Sequence, residues 1–269
     1  EPPKRDRSAI DALEKRDEAI GVVKNVAGSV PGQRNDAMLA SLADVPAELF
    51  TIRDLNVSGS PVTEAGLKHI ARMTLVESLD ISQLTFTEES LVGFLELPKL
   101  RRLTMRQAHF PTEAGLAVIG QMAHLESLTL AETAVTDSDL KAIQNMPALR
   151  ELHLDETKLT DAAFEHLATL SQLEVLTISK TAITSRGLPK LCGSPRGLRL
   201  PVLDVHRTFA GRNGFAQLDG LAALEDLDAS LSQVADDSLR GWKSPPKLRK
   251  LNLSGNVFTN VSLPGILSS

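Results

Sequence analysis

The stretch Leu149–Gln172, LRELHLDETKLTDAAFEHLATLSQ, constrains the chain more than any other, because its order of residue types returns along most of the sequence. Matching first positions fall at Ile52, Val76, Leu100, Leu125, Leu149, Leu173, Leu200, Leu224 and Leu248, mostly 24 residues apart, with steps of 25 after Leu100 and 27 after Leu173. A fixed period of this length implies stacked units, each too small to bury its own apolar face alone. Within a unit, Val76, Leu79 and Ile81 show the pattern. Leu79 and Ile81 are two apart and share one face of a short strand, and Asp80 between them points the other way. The turn position that follows holds Ser60, Leu84, Ala108, Thr133, Thr157, Thr181, Thr208, Ser232 and Asn256. Hydroxyl and amide groups there can satisfy backbone groups that a tight turn leaves open, which Leu84 and Ala108 cannot, so local irregularity or water is expected at those two. A helix start comes next. Thr63, Thr87, Thr112, Thr136, Thr160, Thr184 and Thr259 sit at N-cap positions, mostly with Asp or Glu behind them to favour the helix dipole. The helix faces are marked by Leu67 with Ile70, Leu91 with Phe94, Leu140 with Ile143 and Leu239 with Trp242.

The L-x-x-L-x-L run of Leu149, Leu152 and Leu154, with Leu159, Thr160-Asp161, Phe164, Leu167 and Leu170, resembles the leucine-rich repeat family over roughly residues 52–269. The Thr in the turn and the T-D-x-x-L second half (Thr136-Asp137 to Leu140) are similar to bacterial repeats and to the cysteine-containing subtype. The turn here carries Thr or Ser in place of Cys, and the repeats are shorter, so the ubiquitin-ligase role often seen in that subtype is not carried over. The resemblance implies an α/β right-handed solenoid, a horseshoe with a parallel concave β-sheet and short convex helices. It further implies an interaction module with no cofactor and no catalytic residue.

Residues outside the period are read separately. Residues 1–7 are charged and Pro-containing and read as a disordered terminus or a linker. Residues 8–51 read as an N-terminal cap: Ser8 with Asp11 suggests a capping box, Ile10, Leu13 and Ile20 share a helix face, and Asn35-Asp36 with Leu39 and Leu42 reads as the helical half of a degenerate repeat. Nine repeats then fill 52–269. The end, Leu263-Pro264-Gly265-Ile266-Leu267, lacks the polar cover a last repeat needs: further residues, packing on another subunit or a distorted final turn acting as a lid would each supply it, and the lid is the favoured expectation. The chain begins at Glu1 rather than Met, which leaves room for a removed leader, anchor or upstream domain and keeps the compartment open. A net charge of −5 argues against polyanionic partners such as nucleic acid. Cys192 is the only cysteine, so neither an internal disulfide nor a cysteine-based metal cluster can form, and it reads as a packing residue. No apolar run reaches the ~18 residues of a membrane span.

Function has to lie in positions the repeat does not dictate. On the concave face the middle column runs Asn56, Asp80, Thr104, Thr129, His153, Thr177, Asp204, Asp228, Asn252. The column after it runs Ser58, Ser82, Arg106, Ala131, Asp155, Ser179, His206, Ser230, Ser254, and the column before it Asp54, Ser78, Arg102, Ser127, Glu151, Val175, Val202, Asp226, Lys250. Arg102 and Arg106 have no opposite charge alongside in these columns. They are placed either to hold a ligand carboxylate or phosphate or to reach diagonally to Asp80 or Glu132. Glu151, His153 and Asp155 lie near Asp204, His206 and Asp228. The two histidines are two strands apart, too far for shared metal ligation, and this region reads as a mixed-charge binding surface. Asp204 and Asp228 are like charges side by side, relieved either by a basic partner or cation or by Lys250 and Arg207. An insertion at 192–197 and the Gly211-Arg212-Asn213-Gly214 stretch suggest a flank patch of Arg196, Arg199 and Arg212, with Arg186 and Lys190, for an acidic partner or as a solvated charge cluster.

The sequons at Asn56 and Asn252 arise from the repeat itself and say little about glycosylation; a third lies at Asn260. No phosphate loop, nucleophile elbow, H-E-x-x-H or EF-hand stretch occurs. The expected function is therefore a non-enzymatic scaffold that binds a protein through its concave face, using Arg102, Thr104, Arg106, Thr129, Glu151, His153, Asp155, Asp204, His206 and Asp228. A small-ligand or carbohydrate binder, a sensor arm of a larger protein, and a hydrolase built on His153, Asp155 and His206 are the competing readings. The scarcity of aromatic residues weighs against the carbohydrate binder and makes polar recognition the expectation.

Overall fold

The computed structural model describes residue 15 and residues 32–44, 52–192, 199–212 and 215–259. The first predicted helix, apart from helical Lys15, the 192–197 insertion, apart from Cys192, and the C-terminal lid lie outside these residues. Nine three-residue strands form one parallel sheet in chain order: β1 (Asp54–Asn56), β2 (Ser78–Asp80), β3 (Arg102–Thr104), β4 (Ser127–Thr129), β5 (Glu151–His153), β6 (Val175–Thr177), β7 (Val202–Asp204), β8 (Asp226–Asp228) and β9 (Lys250–Asn252). The register pairs each central leucine with the next, from Leu55 with Leu79 to Leu227 with Leu251. The columns read from the sequence are therefore real rows of neighbours. The core is a continuous stack of aliphatic layers, in which Leu149, Leu152, Leu154, Leu159 and Leu167 are wholly buried.

Before the first strand, α1 (Asp36–Ala43) buries Leu39 and Leu42, and Asn35 caps it by accepting the Met38 N–H at 3.1 Å. The convex side is less helical than its sequence suggests. α-Helical turns occur at α2 (Glu64–Ile70), α3 (Glu88–Gly93) and α4 (Thr112–Ile119) and, shorter, at Phe164–Leu167, Leu188–Cys192 and Asp236–Leu239, whereas Asp139–Ala142, Asp161–Ala163 and Phe215–Gly220 are 3-10 segments. Only about one turn of backbone has to span each repeat there, and the tighter helix covers that distance with fewer residues.

The Thr-to-helix step works differently from simple capping. Thr63, Thr160 and Thr184 do accept the N–H two residues on. Thr112, by contrast, lies inside α4, and at Thr136 the roles are inverted: Asp139 accepts both its N–H and its hydroxyl. The acidic residues reach across to the next repeat. Asp137 accepts the N–H of Thr160 at 2.8 Å and its hydroxyl at 2.6 Å. Asp161 does the same for Thr184, Asp36 for Thr63 and Asp236 for Thr259. Glu64 accepts from Thr87 N–H and the Ser90 hydroxyl. Each such carboxylate ties two turns together with charge-assisted bonds.

The turn hydroxyls behave as their chemistry requires. Thr133, Thr157, Thr181 and Thr208 each donate at 2.6 Å to the carbonyl three residues back. The preceding residue is left-handed in every repeat: Gly59, Gln83, Gln107, Glu132, Glu156, Lys180, Arg207, Leu231 and Gly255 all have φ between 52° and 69°. Of the two outcomes expected at Leu84 and Ala108, local irregularity is not what the backbone shows. Gln83 and Gln107 hold the same left-handed turn, the Phe86 and Phe110 rings stack at 5.5 Å, and Thr85 bridges His109. Packing between the two repeats stands in for the missing hydroxyls.

The carboxylate ladder predicts that Asp161→Ala lowers unfolding stability by about 1–3 kcal/mol, because the Thr184 N–H and hydroxyl lose their acceptor. Asp237→Ala, which breaks only an exposed pair with Arg240, should cost less than about 0.5 kcal/mol. Urea unfolding of the two variants beside wild type checks this; equal losses would count against the ladder.

Candidate functional site: the concave face

Polar residues on the concave face are mostly engaged with one another. Where the middle column holds Asp or Asn, its side chain accepts the N–H two residues on and turns the strand: Asn56 with Ser58, Asp80 with Ser82, Asp204 with His206, Asp228 with Ser230, Asn252 with Ser254. Asn56 donates sideways to Asp80 at 3.0 Å and Asn252 to Asp228 at 2.8 Å. The two sequon asparagines thus serve this lattice. In the centre, where Thr and His replace Asx, Asp155 reaches across instead and accepts from the Ser179 N–H and hydroxyl and from the Thr177 hydroxyl.

In the N-terminal half, Arg106 makes the diagonal reach to Glu132 that the columns offered as one alternative, and Arg102 finds a carboxylate they did not offer. Arg102 passes over Ser78 to meet Asp54 at 3.4 Å, two strands away in its own column, and Arg106 pairs diagonally with Glu132. Extended guanidinium side chains reach further than the nearest-neighbour spacing by which the columns were judged. Thr104 and Thr129 are register neighbours and half-buried beside them.

In the C-terminal half, His153 and His206 are held separately. The Thr177 hydroxyl donates to Asp155, so the His153 Nδ1–H donates to Thr177 at 3.1 Å. His206 Nδ1 lies 3.0 Å from Asp204. β6 separates the strands of the two histidines. Among the described residues no group of three His, Cys, Asp or Glu converges on a point where a metal ion could sit.

Asp204 and Asp228 are direct neighbours, as the columns indicated. Lys250 does not relieve them; it pairs with Asp226 at 3.1 Å, and Arg207 is exposed with no carboxylate beside it among the described residues. Asp204 is held by His206, and Asp228 by Ser230 and Asn252. Burial raises the Asp204 pKa more than the His206 bonds lower it, and the charge of Asp228 adds to the rise. For Asp228 burial also pushes upward, but the bonds from Ser230 and Asn252, with His206, outweigh it and the pKa is lowered.

One concave feature stood in the columns but drew no attention. Val175 and Val202 are register neighbours, both half-buried, in the column flanked by exposed Glu151 on one side and Asp226 on the other. Two valines among charged and hydroxyl groups form a small apolar step on the inner face. Elsewhere, Phe94, Leu97, Pro98, Met122 and His124 line an open groove of about 320 Å³ beyond the strand entries, away from the concave surface. Arg199 and Arg212 are exposed but lie before the entry and beyond the exit of β7, so they occupy opposite rims and not one flank. Arg196 lies outside the described residues, as does the burial of Cys192 in the helix Leu188–Cys192.

Comparison with known proteins agrees with this architecture. A family model described as Leucine Rich repeat matches residues 244–263. An internalin (inlF) from Listeria monocytogenes superposes with a TM-score of 0.55 at 19% identity, covering 86% of this chain and 74% of the internalin. Yeast Rad7, solved in complex with Elc1, gives a TM-score of 0.51 at 16% identity over 92% of this chain and 83% of its own. TLR13, solved with ssRNA13, gives 0.59 at 20% identity over 85% of this chain and 35% of its own. No curated protein matches the chain by sequence. Among the described residues no helix is long and apolar enough to cross a membrane.

The raised pKa of Asp204 carries a sign. The folded state binds its proton more tightly than the unfolded state, so this group's contribution to stability falls as pH rises through the ordinary aspartate range, around 4, to the raised value. Asp204→Asn keeps an acceptor for His206 and removes the titration. Its stability relative to wild type should therefore improve as pH rises through that window and level off above it, read by urea unfolding in pH steps. A relative improvement toward acid would contradict the assignment.

Proposed function

We propose that this chain, a leucine-rich repeat solenoid, is a non-enzymatic binding module that takes a segment of a protein partner on its concave face. The observation that carries this reading is the Val175/Val202 step framed by Glu151, Asp155, Asp204, Asp226 and Asp228. An apolar step inside a ring of carboxylates suits a partner segment that presents an aliphatic side chain between basic ones, with burial supplying affinity and charge supplying register. Asp155, Asp204 and Asp228 are already held in place by Ser, Thr, His and Asn neighbours, and Asp226 by Lys250, so these four need little ordering on binding. The surface extends through His153 and His206 toward Thr129, Thr104, Arg106 and Arg102, where the arginines serve first as partners of Asp54 and Glu132. Rad7 in its complex with Elc1 supports a protein ligand for a solenoid of this shape.

The test is affinity capture from native extract with wild type, with Glu151→Lys/Val202→Arg and with Arg102→Glu/Arg106→Glu, after all three are shown to fold by circular dichroism. The expected result is a partner kept by wild type and by the arginine variant and lost, by roughly tenfold or more in affinity, from Glu151→Lys/Val202→Arg. Loss only from the arginine variant would move the site to the N-terminal half and overturn the apolar-step reading.

A further inference from the structure

The arginines of the solenoid are unevenly satisfied. Those of the earlier repeats meet carboxylates, as Arg53, Arg102, Arg106 and Arg150 do, and so do Arg240 and Arg249 near the end. Between residues 52 and 259, the described arginines whose side chains have no ion pair or hydrogen bond among the described residues are Arg186, Arg199, Arg207 and Arg212, all within two successive repeats. Three of them follow β6 and β7 on the strand-exit side. Phe209 bridges Thr184 of the preceding repeat and donates its N–H to the Ile183 carbonyl at 2.9 Å, and Arg186 follows Thr184 by two residues, its N–H bonded to the Thr184 hydroxyl at 3.2 Å. Arg207 lies two residues before Phe209, and the Arg212 N–H returns to the Phe209 carbonyl at 3.3 Å. The neighbouring carboxylates are committed elsewhere: Asp161 to Thr184, and Glu156 to Lys180 at 2.5 Å.

The same rim breaks two local rules. Phe209 is 43% exposed and Leu231 47% exposed, and Leu231 also sits in the left-handed column at φ 55°, where the other repeats place glycine or a long polar side chain. Arg207 adjoins it in that column, its N–H bonded to the Ser230 carbonyl at 2.9 Å. The Leu231 side chain leans over Gly255 of the next repeat, yet about half of it stays exposed in a sterically disfavoured backbone position, and such outliers point to function.

We propose that this rim is a second interaction surface, distinct from the concave face, that docks an acidic segment of a protein. An apolar side chain of the segment seats on Phe209 and Leu231, and its carboxylates meet the guanidinium groups of Arg186, Arg207 and Arg212. Arginine suits this role because its fork matches a carboxylate with two parallel hydrogen bonds. A nucleic acid fits less well: three arginines are a short footprint for a run of phosphates, and the chain as a whole carries a net charge of −5. Repeats six to eight would then present carboxylates inward and arginines at the rim, two surfaces of opposite sign on one rigid scaffold.

The test is selection of a phage-displayed random-peptide library on wild-type protein, with Arg186→Glu/Arg207→Glu/Arg212→Glu as the counter-selected surface. All substituted positions are exposed, and unchanged thermal unfolding confirms that the variant folds. The expected result is enrichment of peptides that carry Asp or Glu next to a large apolar residue. A synthetic copy of one such peptide should bind roughly tenfold more weakly to Phe209→Ala and to Arg207→Glu/Arg212→Glu, weaken as salt rises past about 0.1 M, and bind Glu151→Lys/Val202→Arg unchanged. That last comparison separates failure here from failure of the concave-face reading. The proposal is overturned if no acidic consensus survives counter-selection, if Phe209→Ala leaves affinity intact, or if a single-stranded oligonucleotide binds the rim more tightly than the peptide.

Discussion

A carboxylate at the start of a convex segment, reaching forward to the N–H and hydroxyl of a threonine in the next repeat, is the polar interaction that most directly joins successive turns of this solenoid, and Asp36, Asp137, Asp161 and Asp236 all make it. A single turn of some 24 residues orders more backbone than its own burial can offset. Stability comes from the contact between turns, which the aliphatic layers supply in bulk and which the Asp-to-Thr bridges hold in register. Where it occurs, the bridge also spares the turn an unsatisfied N–H at the place where the chain leaves the sheet for the convex side. Because Asp161 both begins its own segment and anchors Thr184, one residue type joins local structure to assembly.

The same economy governs the concave surface. An Asx side chain that bends the end of its own strand and bonds sideways to the next repeat is structural before it is functional, and Asn56, Asp80, Asp228 and Asn252 are all of this kind. Most of the polar inner face is thus a hydrogen-bonded lattice. Against that background the exceptions stand out: the valine pair of β6 and β7, the burial-raised Asp204, and at the rim Phe209, Leu231 and three arginines without partners among the described residues. All of them fall in repeats six to eight.

Much of the fold was legible because the period is strict. The register of all nine strands follows from spacing, and the role of the turn hydroxyls follows from their chemistry, as Thr157 and Thr181 show. The forward reach of Asp137 and Asp161 was not legible, since an acidic residue behind an N-cap has a sufficient local explanation in the helix dipole and no spacing rule points to the neighbouring repeat. The left-handed column was signalled only by Gly59 and Gly255; the residues between them tolerate positive φ without advertising it. Arg102 was misjudged for a geometric reason, because its side chain spans two strand spacings to Asp54. At the candidate site, the neighbouring of Asp204 and Asp228 was readable from the columns, and what neutralises them was not, because rotamers choose among Lys250, His206 and Asn252.

The most direct measurement is hydrogen exchange of the protein alone and in complex with the partner it captures. The account predicts added protection at the strands and strand ends around Glu151–Asp155, Val175–Ser179, Val202–His206 and Asp226–Ser230, with the convex segments unchanged. Protection confined to the convex segments or to β1–β3 would contradict a working surface centred on the valine step.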